Sequence, residues 1–185
     1  MTFENTKLEG VVIITPQIHK DARGYFMECW RQDLFEQNVC KTTFIQDNES
    51  KSSFGVFRGF HYQKGEYAQA KLVRVIKGTV LDFAIDIRKS SKTFGQYVAV
   101  ELSEENKKQL FVPRGFAHGF AVLSQEAIFT YKVDNVYAPQ AEAGIRWCDP
   151  QIGINWADLK LYHEDILLSE KDSKLPYLKD AEVFY

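Results

Sequence analysis

Short stretches of alternating apolar and polar residues fill most of the chain, and turn-forming residues separate them. Gly10, Pro16, Gly24, Gly55, Gly65, Gly78, Gly95, Pro113, Gly119, Pro139 and Gly144 recur at the spacing of an all-β sandwich or barrel. The clearest strand is Val80 to Ile87. Leu81, Phe83, Ile85 and Ile87 share one face, and Asp82 and Asp86 share the other with Val80 and Ala84. Val98, Val100 and Leu102 repeat the alternation. Ala127, Phe129, Tyr131 and Val133 do the same against Thr130, Lys132 and Asp134. Arg31 to Val39 reads as a short helix, and Ser103 to Asn106 as a turn. The tail from Ser169 to Tyr185 is polar and mixed, and predicts a lid or a short helix.

Composition narrows the picture. With 45% hydrophobic and 26% charged residues, the chain has enough apolar matter to fold, which excludes wholesale disorder. A length of 185 residues fits a single domain spanning 1–185. An aromatic content of 14% suits strands and stacking pockets better than a helical bundle. The formal net charge of −2 provides no basic field for nucleic acid or for an anionic membrane. No apolar run approaches the roughly 20 residues of a spanning helix. Met1 to Thr6 carry neither a basic stretch nor an apolar core, so no secretory signal is expected. Cys29, Cys40 and Cys148 are odd in number and lack CxxC spacing. They are expected to be reduced, buried thiols of a cytoplasmic protein.

Candidate chemistry centres on two of the four histidines His19, His61, His118 and His163. His61 sits in RGFHYQ and His118 in PRGFAHGF, each with glycine and arginine close by. Each is either a proton-exchanging group or a satisfied wall residue of the barrel. Gln63 and Phe120 stand where a second ligand of a two-histidine metal motif belongs, so no metal is expected. Lys71 shares a strand face with Val73 and Val75. It is either a snorkelling strand-end lysine or a partly buried cation suited to developing negative charge. Tyr131 is a core phenol or a proton donor. Arg23, Arg58 and Arg114, each near glycine, are the anion-binding candidates in the absence of any phosphate-cradling glycine loop. On a regular strand Arg58 and His61 face opposite ways. Either a bulge at Gly59 rotates one of them, or Arg58 serves another part of a ligand.

Six strings carry a resemblance: DARGYF at 21–26, FIQDNESKSSFGVFRGFHYQ at 44–63, QAKLVRVIKGTVLDFAIDIRKSSKTFG at 69–95, FVPRGFAHGFAVLS at 111–124, YKVDNVYAPQAEAGIRWCDPQIGINW at 131–156 and LSEKD at 168–172. Taken in order, they resemble the dTDP-4-dehydrorhamnose 3,5-epimerase family. Phe60, where leucine is commoner, and the Gln63–Gln69 loop depart from the family pattern.

The resemblance implies an all-β, cupin-type jelly-roll barrel with a few short helices. It implies a homodimer with exchanged N-terminal strands and no metal or other cofactor. It also implies a dTDP-sugar substrate, inverted at C3 and C5 beside its 4-keto group. By the same resemblance His61 is the base, Asp172 its carboxylate partner, Lys71 the cation at the enolate oxygen and Tyr131 the acid. Substrate contacts fall to Arg23, Phe26, Glu28, Gln46, Asn48, Arg58, Gln69, His118, Glu142 and Lys171. The competing readings are a 3-epimerase, 5-epimerase or 3,4-ketoisomerase on a related sugar, a metal-dependent cupin oxygenase, and a non-catalytic nucleotide-sugar binder.

Overall fold

The computed structural model describes residues 1–159, 161–162 and 165–185, so His163 lies outside the described residues. In chain order the strands are β1 (Thr2–Asn5), β2 (Val12–Thr15), β3 (Ile18–Asp21), β4 (Gly24–Met27), β5 (Gln46–Ser53), β6 (Phe57–Gln63), β7 (Lys71–Lys77), β8 (Thr79–Asp86), β9 (Tyr97–Ser103), β10 (Gln109–Val112), β11 (Phe116–Val122), β12 (Glu126–Val133) and β13 (Glu142–Gly144). Two short helices accompany them, α1 (Gln32–Asn38) and α2 (Glu170–Ser173). The fold is therefore all-β with short helices, as the alternation predicts.

Two antiparallel sheets carry the architecture. One has six strands in the order β1-β2-β10-β7-β12-β5, the other five in the order β13-β6-β11-β8-β9. Neighbours in a sheet are mostly distant in sequence, the jelly-roll arrangement of chain crossing between facing sheets. A separate two-stranded sheet is formed by the β3–β4 hairpin.

Three apolar layers explain why the strands are hydrophobic on both faces. The inner layer between the sheets includes Val73, Val75, Val80, Ala84, Phe120 and Phe129. A second layer covers the outer face of the five-stranded sheet. There Phe57, Phe60, Phe83 and Ile85 pack against Trp156, Leu161 and Leu178 of the C-terminal segment. A third lies under α1, where Phe35 meets Phe111 at 5.0 Å and Trp30 at 4.8 Å between ring centroids. In β8 the continuous apolar row Leu81, Phe83 and Ile85 thus faces outward, under the tail. The row that contains Asp82 faces the interior.

Local expectations meet small corrections. The predicted strand at Val80–Ile87 is Thr79–Asp86, and the helix predicted at Arg31–Val39 runs from Gln32 to Asn38, flanked by those two residues. The tail forms a short helix at Glu170–Ser173, with Ser169 accepting the Asp172 backbone N–H at 3.1 Å. The three cysteines are free but only half-buried, not buried as expected. They lie on segments between strands, where packing is open on one side.

The parity problem on β6 is resolved by a bulge. His118 pairs with His61, but two residues on, Phe120 pairs with Arg58, so β6 carries one extra residue between the two registers. Gly59 occupies that turn at φ +135°, and a Cβ there would lie 2.5 Å from the Cα of Gly119. Only glycine fits both the dihedral and the close approach. Gly59→Ala is expected to cost about 2–4 kcal/mol in urea unfolding. Gly65→Ala, at φ +58° with open space around it, should cost only about 1–2 kcal/mol. Equal losses would show that the close approach to β11 is not the constraint.

Candidate active site

A cavity of about 450 Å³ opens between the sheets at the end where β6, β7, β11 and β12 converge. That volume suits a small-molecule ligand. Its polar wall holds Arg58, His61, Lys71, His118, Tyr131 and Glu142, with Lys171 and Asp172 contributed by α2. Val56, Phe120, Phe129 and Leu167 form the apolar remainder.

One contact in the wall joins residues 111 positions apart in sequence. His61 Nε2 lies 2.7 Å from Asp172 Oδ1. Burial works against ionisation of Asp172. The hydrogen bond and charge of His61, with the Gly59 backbone and Ser169, outweigh it and hold the carboxyl below its usual range. Directly across the strand pair, His118 Nε2 lies 3.0 Å from each oxygen of Asp82.

Lys71 begins β7 and faces the interior. Desolvation lowers its ammonium to about 8, against the opposing charges of Asp82 and Glu142. Burial pushes the Tyr131 phenol up, against the Arg58 charge that lowers it. Glu142, at the first position of β13, accepts from Lys171 Nζ at 2.5 Å and from Tyr137 Oη at 2.8 Å. Burial opposes its ionisation, but these two donors hold it below the ordinary carboxylate range. Arg58 Nε donates to Ser52 Oγ at 3.0 Å, and the guanidinium lines the cavity on the same side as His61 because of the bulge. Among the described residues, no group of three or more His, Cys, Asp or Glu side chains is disposed to hold a metal ion.

The structure thus gathers His61, Lys71, Tyr131, Asp172, Arg58, His118, Glu142 and Lys171 around one space. It does not bring the other predicted contacts into that space within one chain. Arg23 and Phe26 lie on the β3–β4 hairpin, where Arg23 is engaged with Asp21 at 2.6 Å and Phe26 is 70% exposed. Glu28 follows the hairpin and stands 4.0 Å from Arg31. Gln46 donates to Asn48 Oδ1 at 2.9 Å on β5, and Asn48 pairs in register with Tyr131. Gln69 donates to the Asn135 carbonyl at 2.8 Å. Arg114, read as an anion candidate, is paired with Asp134 at 2.9 Å.

Two participants escaped sequence reasoning. Asp82 was visible only as one polar position in an apolar strand, and Tyr137 as one aromatic in a loop. A carboxylate alternating with Val80 and Ala84 was the available signal for the first.

Comparison with known proteins identifies relatives along the whole chain. The family model described as dTDP-4-dehydrorhamnose 3,5-epimerase matches residues 5–180. A Shigella flexneri protein named dTDP-4-dehydrorhamnose 3,5-epimerase is 50% identical over 185 residues, covering 100% of this chain and 99% of its own. The crystal structure of a Legionella pneumophila dTDP-6-deoxy-D-glucose-3,5-epimerase, in complex with dTDP-4-keto-L-rhamnose, superposes with a TM-score of 0.93. It is 42% identical and covers 100% of this chain and 98% of that one. A 3'-monoepimerase from Streptomyces bikiniensis, in complex with dTDP-quinovose, gives a TM-score of 0.87 at 31% identity, covering 95% of this chain and 87% of that one. The match runs through both sheets and on to the tail helix that closes the cavity wall, and the chain belongs to the dTDP-4-dehydrorhamnose 3,5-epimerase family.

Proposed function

We propose that this chain epimerises dTDP-4-dehydro-6-deoxy-D-glucose at C3 and C5, giving dTDP-4-dehydro-L-rhamnose in dTDP-rhamnose biosynthesis, with its own side chains as the whole catalytic apparatus. One observation carries the reading. The His61–Asp172 pair, at 2.7 Å, faces the same cavity as a desolvated lysine and a half-buried tyrosine.

The chemistry follows from the groups. A 4-keto sugar has acidified C–H bonds on both carbons beside its carbonyl. Inverting either centre removes a proton from one face and returns one to the other. A ring nitrogen that donates to a carboxylate carries the proton itself. Asp172 therefore fixes the neutral His61 ring with its hydrogen on Nε2 and its lone pair on Nδ1. That lone pair is the base, and Asp172 stabilises the imidazolium that results. The Lys71 ammonium meets the charge developing on the enolate oxygen, so the step needs no metal. Tyr131 gives its own proton to the opposite face of the carbon, its raised pKa keeping the phenol protonated until then, and exchange with solvent takes the proton from His61 and restores one to Tyr131 before the second inversion. Arg58 and Lys171 supply positive charge for the diphosphate, with His118 and Glu142 as sugar contacts.

The exposed hairpin supports a homodimer. Tyr25 and Phe26, 56% and 70% exposed, project aromatic surface, with Lys107 Nζ over one face of the Tyr25 ring at 4.6 Å. In such a dimer the hairpin crosses to the partner subunit. There Arg23, Phe26 and Glu28 join Gln46, Asn48 and Gln69 around the nucleotide end of the partner's cavity. The three unpaired cysteines suit a reducing compartment, the cytoplasm.

Incubation with the 4-keto sugar nucleotide in heavy water should place deuterium at both C3 and C5. Exchange at one carbon alone would assign a single epimerase, the activity named for the Streptomyces relative. No exchange at all would favour a binding protein. His61→Ala should lower turnover by about 10³-fold or more, with nucleotide affinity nearly unchanged. In Tyr131→Phe, solvent exchange should outlast net product formation; parental rates for both would remove its role as acid. Mixing subunits tests the hairpin. Heterodimers of His61→Ala with Arg23→Ala/Phe26→Ala contain one intact composite site if the hairpin crosses over. The 1:1 mixture should then recover about a quarter of the parental activity. No recovery after subunit exchange would confine the hairpin to its own subunit.

A further inference from the structure

The chemistry above needs Asp172 within hydrogen-bonding distance of His61, yet the two ride on separate pieces of chain. His61 belongs to β6, inside the five-stranded sheet. Asp172 belongs to α2, a helix of 4 residues. A single helical turn does not hold itself in water, so its place comes from its neighbours. Ser169 accepts the Asp172 N–H at 3.1 Å, but that bond is internal to the turn and fixes nothing outside it.

Ties lie on both sides of the helix. Before it, the Leu167 N–H donates to the Gly55 carbonyl at 2.8 Å, and the Phe57 N–H donates to the Leu167 carbonyl at 2.9 Å. After it, the chain meets residues 144–149, which lead out of β13. There Arg146 uses main chain and side chain together. Its backbone N–H donates to the Pro176 carbonyl at 2.8 Å, and its Nε–H donates to the Leu175 carbonyl at 3.0 Å. Its guanidinium lies over the Tyr177 ring, 4.8 Å from the centroid. Leu175 packs so closely on Gly144 that a Cβ there would lie 2.8 and 2.9 Å from its two methyl carbons. Farther along, buried Asp149 accepts the Leu178 N–H at 2.6 Å.

The same segment is bonded to the strand that carries the base. Gly144 pairs in register with His61, and Ile145 exchanges two backbone hydrogen bonds with Phe60, at 2.9 and 3.2 Å. Arg146 thus follows directly on a fixed attachment to β6 and grips the chain just beyond Asp172. Its planar fork suits the task, because aiming one N–H sets the orientation of the whole group.

We propose that Arg146 is a positioning residue, which sets the distance between His61 and Asp172 by tying the Leu175 and Pro176 carbonyls to the segment paired with the base's strand. The proposal rests on the reading of His61 and Asp172 as base and carboxylate partner. When the Arg146 side chain is removed, the Leu167 bonds, Asp149 and the outer apolar layer still dock the tail. What changes is the pose of the turn, not the fold.

A double-mutant cycle tests this. Turnover is measured at saturating substrate as deuterium incorporation, so that affinity, to which Lys171 on the same helix contributes, drops out. Arg146→Ala should lower it by about 10- to 100-fold, the scale for a catalytic group displaced by about 1 Å. In an Asp172→Ala background the same change should cost less than about twofold, because no carboxylate is left to position. The same fold-loss in both backgrounds, or no loss in the first, would overturn the proposal.

Proton NMR reads the hydrogen bond without turnover. The His61 Nε2–H that donates to Asp172 gives a downfield line, identified by its loss in Asp172→Ala. Arg146→Ala should broaden that line or move it upfield, and an unchanged line overturns the proposal. Parental turnover in Asp172→Ala would instead defeat the catalytic reading of the pair, and the spectrum would then decide on Arg146 alone. Should Arg146→Ala fail to fold, Arg146→Lys replaces it in both measurements with the same outcomes, since the amine keeps a charge near Tyr177 but lacks the Nε donor.

Discussion

The withdrawal of carboxylates from water beside basic groups organises this molecule. Asp172 and Asp82 are both buried, and each is held by an imidazole of the same cavity. Such pairs contribute little net stability, because desolvation offsets the attraction, yet breaking one leaves an uncompensated charge that costs about 3–5 kcal/mol. The pairs therefore fix geometry more than they strengthen the fold. His61 and His118 stand directly opposite each other on β6 and β11, so the two pairs hold two rings at set positions on one wall.

The apolar layers make that arrangement possible. The five-stranded sheet is buried on both faces, by the facing sheet and by the C-terminal segment carrying Trp156, Leu161 and Leu178. The outer layer anchors the tail, and the anchored tail delivers α2 with Lys171 and Asp172 to the cavity. Phe83, Phe57, Phe60 and Trp156 pack edge-on or tilted at 5.0–6.4 Å in that layer, an arrangement favoured by ring quadrupoles. Chemistry on one face of β6 thus depends on packing against the other.

Desolvation then differentiates side chains of similar type. Lys71 is brought down to about 8 within the barrel, whereas Lys171, more exposed and bonded to Glu142, is raised. The buried lysine thus holds its proton less firmly than the one at the cavity edge. The same contrast separates Asp86 from Asp82 on one strand. Burial disfavours the charge of Asp86, but Arg88, Ser91 and Thr93 outweigh it and bring its pKa down to about 2. Asp82 has only His118 and Lys71 to oppose burial, and its carboxyl is raised.

Sequence alone determined the all-β class, the faces of β8, β9 and β12, and the short helix at α1, because a period of two or of 3.6 is a local property of the chain. The strings around His61, Lys71, His118 and Tyr131 pointed to the family for the same reason: each is read within a few residues. Tertiary structure alone decided what spans the chain. The pairing of His61 with Asp172 was readable only through the family resemblance, and the inward turn of Asp82 and the agreement of Arg58 and His61 on one side were not legible. They depend on strand register, on the one-residue bulge at Gly59 and on where the tail docks. Alternation assigns residues to faces but does not say which face is inside. When both faces of a sheet are covered, only the packing of distant segments can settle that.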